Sequence, residues 1–139
     1  MKISFTVPGT PVSKLRHRTF VTKSGAQRQY TPPETILYEN MVALSAREAL
    51  NGANQERATG GVRLAVKFYF LVPRTRAGRV REGDVHLQRP DWSNCLKAIE
   101  DGCNGILWND DCQICRVEAS GKFWTHGQAR AEVEVEELT

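Results

Sequence analysis

The run Val62-Arg63-Leu64-Ala65-Val66-Lys67-Phe68-Tyr69-Phe70 sets the fold class. Val62, Leu64, Val66, Phe68 and Phe70 fall on one parity, and Arg63, Ala65, Lys67 and Tyr69 on the other. That is the period of a strand, whose successive side chains point to opposite faces. Beyond Pro90 the period changes. Trp92, Cys95, Leu96, Ile99 and Cys103 gather in one sector of a helical wheel, and Ser93, Asn94, Lys97, Glu100 and Asp101 occupy the opposite sector. A long strand followed by an amphipathic helix requires a sheet with a helix packed on it.

Towards the N-terminus, Ile3, Phe5 and Val7 alternate with Lys2, Ser4 and Thr6, which predicts a strand ended by Pro8-Gly9. Thr10 to Tyr30 is polar and basic without a period, and reads as a long loop or irregular hairpin. Thr31-Pro32-Pro33-Glu34 predicts a helix start, with Thr31 as N-cap and Glu34 closing a capping box. That helix runs to about Leu50, stops at Asn51-Gly52, and carries Leu37, Met41 and Leu44 as its core stripe. Towards the C-terminus, Asn104-Gly105 ends the second helix, and a turn at Asn109-Asp110-Asp111 leads into a strand-like run from Gln113 to Phe123. A last strand with Ala129, Ala131, Val133 and Val135 inward follows the Thr125–Gly127 turn. The expected order is β-α-β-α-β-β, an α+β domain over residues 1–139 whose mixed sheet carries two main helices on one face.

At 139 residues, 40% hydrophobic and 25% charged, the composition is that of a globular chain able to bury a core. No apolar run is long enough for a membrane span and no secretory leader opens the chain, so a cytoplasmic protein is expected. The four cysteines read as reduced thiols. Cys112 and Cys115 would face opposite ways on a strand and Cys95 and Cys103 would be buried, which disfavours a zinc or redox site. His17, His86 and His126 are scattered and read as surface histidines. The net charge is +3, but Glu132, Glu134, Glu136 and Glu137 fall at the end, leaving 19 bases against 12 acids in residues 1–131. Lys14, Arg16, Arg18, Lys23 and Arg28 form one basic cluster and Arg74, Arg76, Arg79 and Arg81 another, followed by Arg89. Such clusters in loops fit either solvated surface or a phosphate-rich partner.

Asp91, Lys97 and Asp101 on the second helix and Asp110-Asp111 in the next turn concentrate acids around a lysine. Hard carboxylate oxygens are what Mg²⁺ takes, usually one or two with water and substrate phosphate completing the shell. A lysine beside them stabilises charge on a phosphate in transfer. On residue pattern alone the plainer reading competes: Asp91 as an N-cap, Asp110-Asp111 as a turn pair, and Lys97 with Asp101 as an i,i+4 ion pair.

The string Arg89-Pro90-Asp91-Trp92-Ser93-Asn94-Cys95-Leu96-Lys97-Ala98, then Asp101, Asn104-Gly105, Leu107-Trp108 and Asp110-Asp111-x-Gln113, resembles the signature of the RusA family of Holliday-junction resolvases. Upstream, Ser13-Lys14-x-Arg16-x-Arg18, with Gly25 and Tyr30-Thr31-Pro32, is similar to phage and prophage members. The resemblance implies a homodimeric endodeoxyribonuclease that binds four-way DNA junctions and, with Mg²⁺ or Mn²⁺, makes paired symmetric nicks. It assigns metal-binding aspartates to Asp91 and Asp111 with Asp110 adjacent, the essential lysine to Lys97, and supporting places to Asn94 and Asp101. The basic residues of the two loops, with Arg89, would then hold junction arms through phosphates. Ser93 stands where the family pattern has another metal-binding aspartate. A neutral hydroxyl is a poor Mg²⁺ ligand, so three readings follow: natural loss of activity, an engineered inactive variant, or compensation by an acid such as Asp110. The rival function is a relative that binds junctions or other DNA without cutting.

Overall fold

A computed structural model describes residues 1–14 and 18–138, with the side chain of Arg18 outside the described set. Strand β1 spans Lys2–Pro8, and a two-stranded hairpin of β2 (Arg18–Val21) and β3 (Gln27–Tyr30) follows. Helix α1 covers Pro33–Gly52, strand β4 Val62–Leu71 and helix α2 Trp92–Cys103. Strands β5 (Ile114–Val117), β6 (Gly121–Thr125) and β7 (Arg130–Glu137) complete the chain. The architecture is α+β as expected, with the irregular segment after β1 resolved into a hairpin.

Strand β4 is the axis of the main sheet. It pairs antiparallel with β7, which pairs antiparallel with β1, while β5 and β6 both lie parallel to β4 on its other side. The strand-like run from Gln113 to Phe123 is therefore one column broken in the middle, β5 opposite the start of β4 and β6 opposite its end. At the break Ala119 has φ 54°, and the Ser120 hydroxyl accepts from the Val66 amide at 2.9 Å, filling the missing rung. The Thr125–Gly127 turn does not close a hairpin between neighbours, because β4 lies between β6 and β7. Ladder pairing won over sequence adjacency.

Register explains which face is buried. Ile3, Val135 and Leu64 line up across three strands, as do Phe5, Val133 and Val66, and then Val7, Ala131 and Phe68. These rows form the core with Trp108, Ile99, Leu107 and Val42 from the helical side. The opposite face carries Lys2, Glu132, Glu134, Glu136, Arg63 and Lys67, with Arg63 bonded to Glu134 and Glu136.

Three expectations about α1 fail. The N-cap is Pro32 and no side chain caps it, so neither the Thr31 cap nor the Glu34 capping box forms. The helix also runs through Asn51-Gly52, with Ala53 as its C-cap. Its buried residues are Thr35, Tyr38, Val42 and Ala46, while Leu37, Met41 and Leu44 are 69%, 39% and 50% exposed. Small and hydroxylated residues face inward because α2 comes very close: a Cβ at Gly102 would sit 2.6 Å from Val42 Cγ1 and 3.0 Å from the Glu39 carbonyl. A leucine stripe would not fit there, so the larger side chains turn outward. On α2 the expectation holds, with Cys95, Ala98, Ile99, Gly102 and Cys103 buried and Ser93, Asn94 and Lys97 exposed.

Candidate functional site

Lys97 is the hub of the polar face of α2. Its ammonium lies 3.2 Å from Asp101 Oδ1, one turn on, 3.2 Å from Asp111 Oδ2 across the following turn, and 4.0 Å from Glu100 Oε2. Desolvation opposes the ammonium's charge, but the bonds to Asp101 and Asp111 outweigh it and hold its pKa above the ordinary lysine value. Glu100 is pushed the other way for a carboxyl: burial raises its pKa, with Asp111 and Asp101 adding to the effect against Lys97.

Asp111 is aimed by a buried neighbour. Trp108 is fully buried, and its indole Nε1 donates to Asp111 Oδ1 at 3.1 Å, leaving Oδ2 to Lys97. The turn before it is stapled by Gln113, whose Oε1 accepts from the amides of Asn109 (2.7 Å) and Asp110 (3.0 Å) while its Nε2 donates to the Ala58 and Gly60 carbonyls. Asp110 closes the same capping box, accepting from the Cys112 amide at 3.3 Å. Its carboxylate faces backbone.

Asp91 is the N-cap residue of α2, is exposed, and makes no side-chain cap bond. The segment that delivers it is pinned by Lys122 of β6, which donates to the carbonyls of Gln88 (2.8 Å) and Pro90 (2.6 Å). His86, upstream, is buried and not a surface histidine: it is 5% exposed, with its ring 4.1 Å from Phe70 and 4.3 Å from Trp124. Burial, then the charges of Lys122 and Arg76, hold its pKa below the ordinary value. It anchors the arginine-rich loop to the sheet. His126 is exposed, with Nε2 2.6 Å from the Val80 carbonyl, and His17 lies outside the described residues.

The expected basic residues divide into two kinds. Lys23, Arg28, Arg74, Arg79, Arg81 and Arg89 are exposed and, among the described residues, have no ion-pair partner. Arg76 lies over the Trp124 ring at 5.3 Å. Lys14 is different: its ammonium pairs with Glu39 at 2.7 Å and Asp101 at 3.2 Å, and its amide donates to the Asn94 carbonyl at 2.9 Å. Arg16 lies outside the described residues, as does the side chain of Arg18. Sequence reading gave Trp108, Gln113, Glu100 and Glu39 no role. The Asp110-x-x-Gln113 spacing was a legible capping signal, whereas Glu39 meets Lys14 only through the tertiary approach of α1 to α2.

Among the described residues, no group of three or more His, Cys, Asp or Glu side chains stands close enough to hold a metal ion. The donor chemistry nonetheless suits a hard cation that takes one or two carboxylates and completes its shell with water and phosphate. Asp91 makes no side-chain cap bond, and each Asp111 oxygen keeps a second lone pair beyond the bond it accepts. Cys95 and Cys103 are buried, and burial raises both thiol pKa values, that of Cys95 to about 11; Cys112 and Cys115 are exposed. Cys112 lies in the 3₁₀ turn Asp111–Gln113, not on a strand.

A family model described as endodeoxyribonuclease RusA matches residues 8–136, nearly the whole chain. The chain is also 26% identical to the uncharacterised protein YqaN of Bacillus subtilis (strain 168), over 99% of this chain and 97% of that one.

Proposed function

The chain belongs to the RusA endodeoxyribonuclease family, and from that premise we propose that it is a Mg²⁺-dependent, structure-specific nuclease that resolves four-way DNA junctions by paired symmetric nicks. The observation that carries the reading is the Lys97 hub: one exposed ammonium held by Asp101 and Asp111, on the helix whose N-cap is Asp91.

In this reading Asp91 and Asp111 hold Mg²⁺, with Mn²⁺ as a substitute. When bound, the ion lowers the pKa of attacking water and neutralises charge on the phosphate. The chain's own residues do the rest. Trp108 fixes the plane of the Asp111 carboxylate through its indole N–H. Asp101 keeps Lys97 on the exposed side of α2, from which its ammonium stabilises charge developing on the scissile phosphate. Asn94 and Ser93 border the same face, exposed. Lys23, Arg28, Arg74, Arg79, Arg81 and Arg89 hold the junction arms by phosphate contacts, without reading sequence.

Two matched nicks in a roughly two-fold DNA substrate need two matched sites, which supports a homodimer. The outward stripe of Leu37, Met41 and Leu44 gives α1 an apolar surface of the kind such a contact uses. No helix among the described residues is long and apolar enough to cross a membrane.

Ser93 lowers the rate, because it replaces a charged ligand by a neutral hydroxyl; the same substitution supports the second reading, a relative that binds junctions without cutting. The test incubates the chain and its Ser93→Asp variant with a labelled four-way junction and a linear duplex, with and without Mg²⁺. We expect both forms to prefer the junction and Ser93→Asp to cut it at least about tenfold faster. Binding without cutting by either form selects the second reading, and no junction preference at all overturns both.

A further inference from the structure

We infer that Lys14 and Glu39 are a positioning pair that fixes Asp101, and through it the Lys97 ammonium, for strand cleavage; the inference rests on the nuclease reading above. The contacts form an unbroken alternation of charge across three segments. Glu39 of α1 lies 2.7 Å from Lys14, Lys14 lies 3.2 Å from Asp101 Oδ2, and Asp101 Oδ1 lies 3.2 Å from Lys97. Lys97 lies 3.2 Å from Asp111, which Trp108 orients.

Asp101 therefore spends one oxygen on each lysine. Without Lys14 its second oxygen would have no cation, and the carboxylate would turn both oxygens towards Lys97 and draw the ammonium from Asp111. With Lys14 in place, Lys97 is shared between Asp101 and Asp111 and stays half exposed, while Lys14 is only 22% exposed. Glu39 keeps Lys14 from being pulled onto Asp101 alone. Gly102 makes the arrangement possible, since only its missing Cβ lets the backbone at Glu39 come close beside Asp101. The Lys14 amide bond to the Asn94 carbonyl ties the chain leading into the hairpin to the first turn of α2. A lysine held this way is a strut and not a phosphate anchor, which separates it from Lys23 and Arg28.

The test reads the lysine ammonium groups of the whole chain by ¹H–¹⁵N spectroscopy at one fixed pH. The Lys97 signal is assigned by its loss in Lys97→Arg. The variants are Lys14→Met, Lys14→Arg and Glu39→Gln, with Lys23→Ala as a surface control. Junction affinity and its salt slope, without Mg²⁺, and single-turnover cleavage accompany them. Lys14→Met and Glu39→Gln are expected to displace the Lys97 signal, Lys14→Arg to restore it and Lys23→Ala to leave it in place. Junction affinity should stay within about twofold in Lys14→Met while cleavage falls about tenfold. An unmoved Lys97 signal overturns the inference. So does a weaker junction Kd with a salt slope lower by about one, which marks a phosphate contact. A displaced signal in a chain that cuts no junction, even as Ser93→Asp, overturns the nuclease reading and leaves the Lys14–Lys97 coupling standing.

Discussion

The helix α2 with its following turn, and the two basic arms formed by the hairpin and the 74–89 loop, are both rich in charge, yet they use it in opposite ways. Around α2 every lysine contact is answered: Lys97 by Asp101, Asp111 and Glu100, and Lys14 by Glu39 and Asp101. On the arms Lys23, Arg28, Arg74, Arg79, Arg81 and Arg89 have no carboxylate within ion-pair distance among the described residues. Answered charge is held in place, which suits chemistry at a fixed point. Unanswered charge is free to meet phosphate along a flexible path, which suits grip. Two variants should therefore separate grip from chemistry, and a third should separate both from folding.

The largest effect on binding is expected on the arms. Replacing Arg79, Arg81 and Arg89 by alanine should weaken junction binding by roughly one to two orders of magnitude and lower the salt slope by about 2.7, at about 0.9 per phosphate contact. Titrations at several salt concentrations check this, and an unchanged slope would break the comparison. On the α2 side, Trp108→Phe keeps an aromatic ring in the core but deletes the donor to Asp111. Cleavage should fall about tenfold with junction affinity unchanged, at a stability loss of about 1 kcal/mol for the missing hydrogen bond; rate and thermal unfolding measured on one preparation test both halves.

The smallest effect concerns the anchor between the two regions. His86 has its folded-state pKa held below 6.5 by burial, then by Lys122 and Arg76, so the unfolded chain takes up a proton more readily than the folded one. Its contribution is complete above pH 6.5 and is lost as the pH falls from 6.5 through the lowered folded-state value. His86→Phe, which retains a ring between Phe70 and Trp124, should flatten the acid side of the melting-temperature profile. A variant profile as steep as the parent's would show that another group governs it.

The sequence and the structure agree most where a period was long and one-sided. The alternation of Val62 to Phe70 and of Ala129 to Val135 placed two central strands, and the wheel of α2 separated its buried and polar faces correctly. The α1 stripe misled because hydrophobicity says which residues can be buried, not which space is available. Gly102 brings α2 so close that Val42 faces it, while Leu37, Met41 and Leu44 lie outward. The β5–β6 break was invisible because Ser120 supplies a rung that only the Val66 amide reveals. At the site, Lys97, Asp101 and Asp111 were legible through spacing and resemblance. Lys14 was not separable from the other basic residues, since its partner Glu39 is distant in sequence. His86 looked like any polar loop residue until Phe70 and Trp124 closed on it.

The most direct test of the account compares Ser93→Asp with the double variant Ser93→Asp, Lys97→Met on the same labelled four-way junction in Mg²⁺, reading affinity and cleavage together. Equal affinity is expected, with paired nicks by the first and a cleavage rate lower by about a hundredfold or more in the second. Equal cutting by both would remove Lys97 from the chemistry, and no cutting by either would contradict the assignment of a nuclease site to this face of α2.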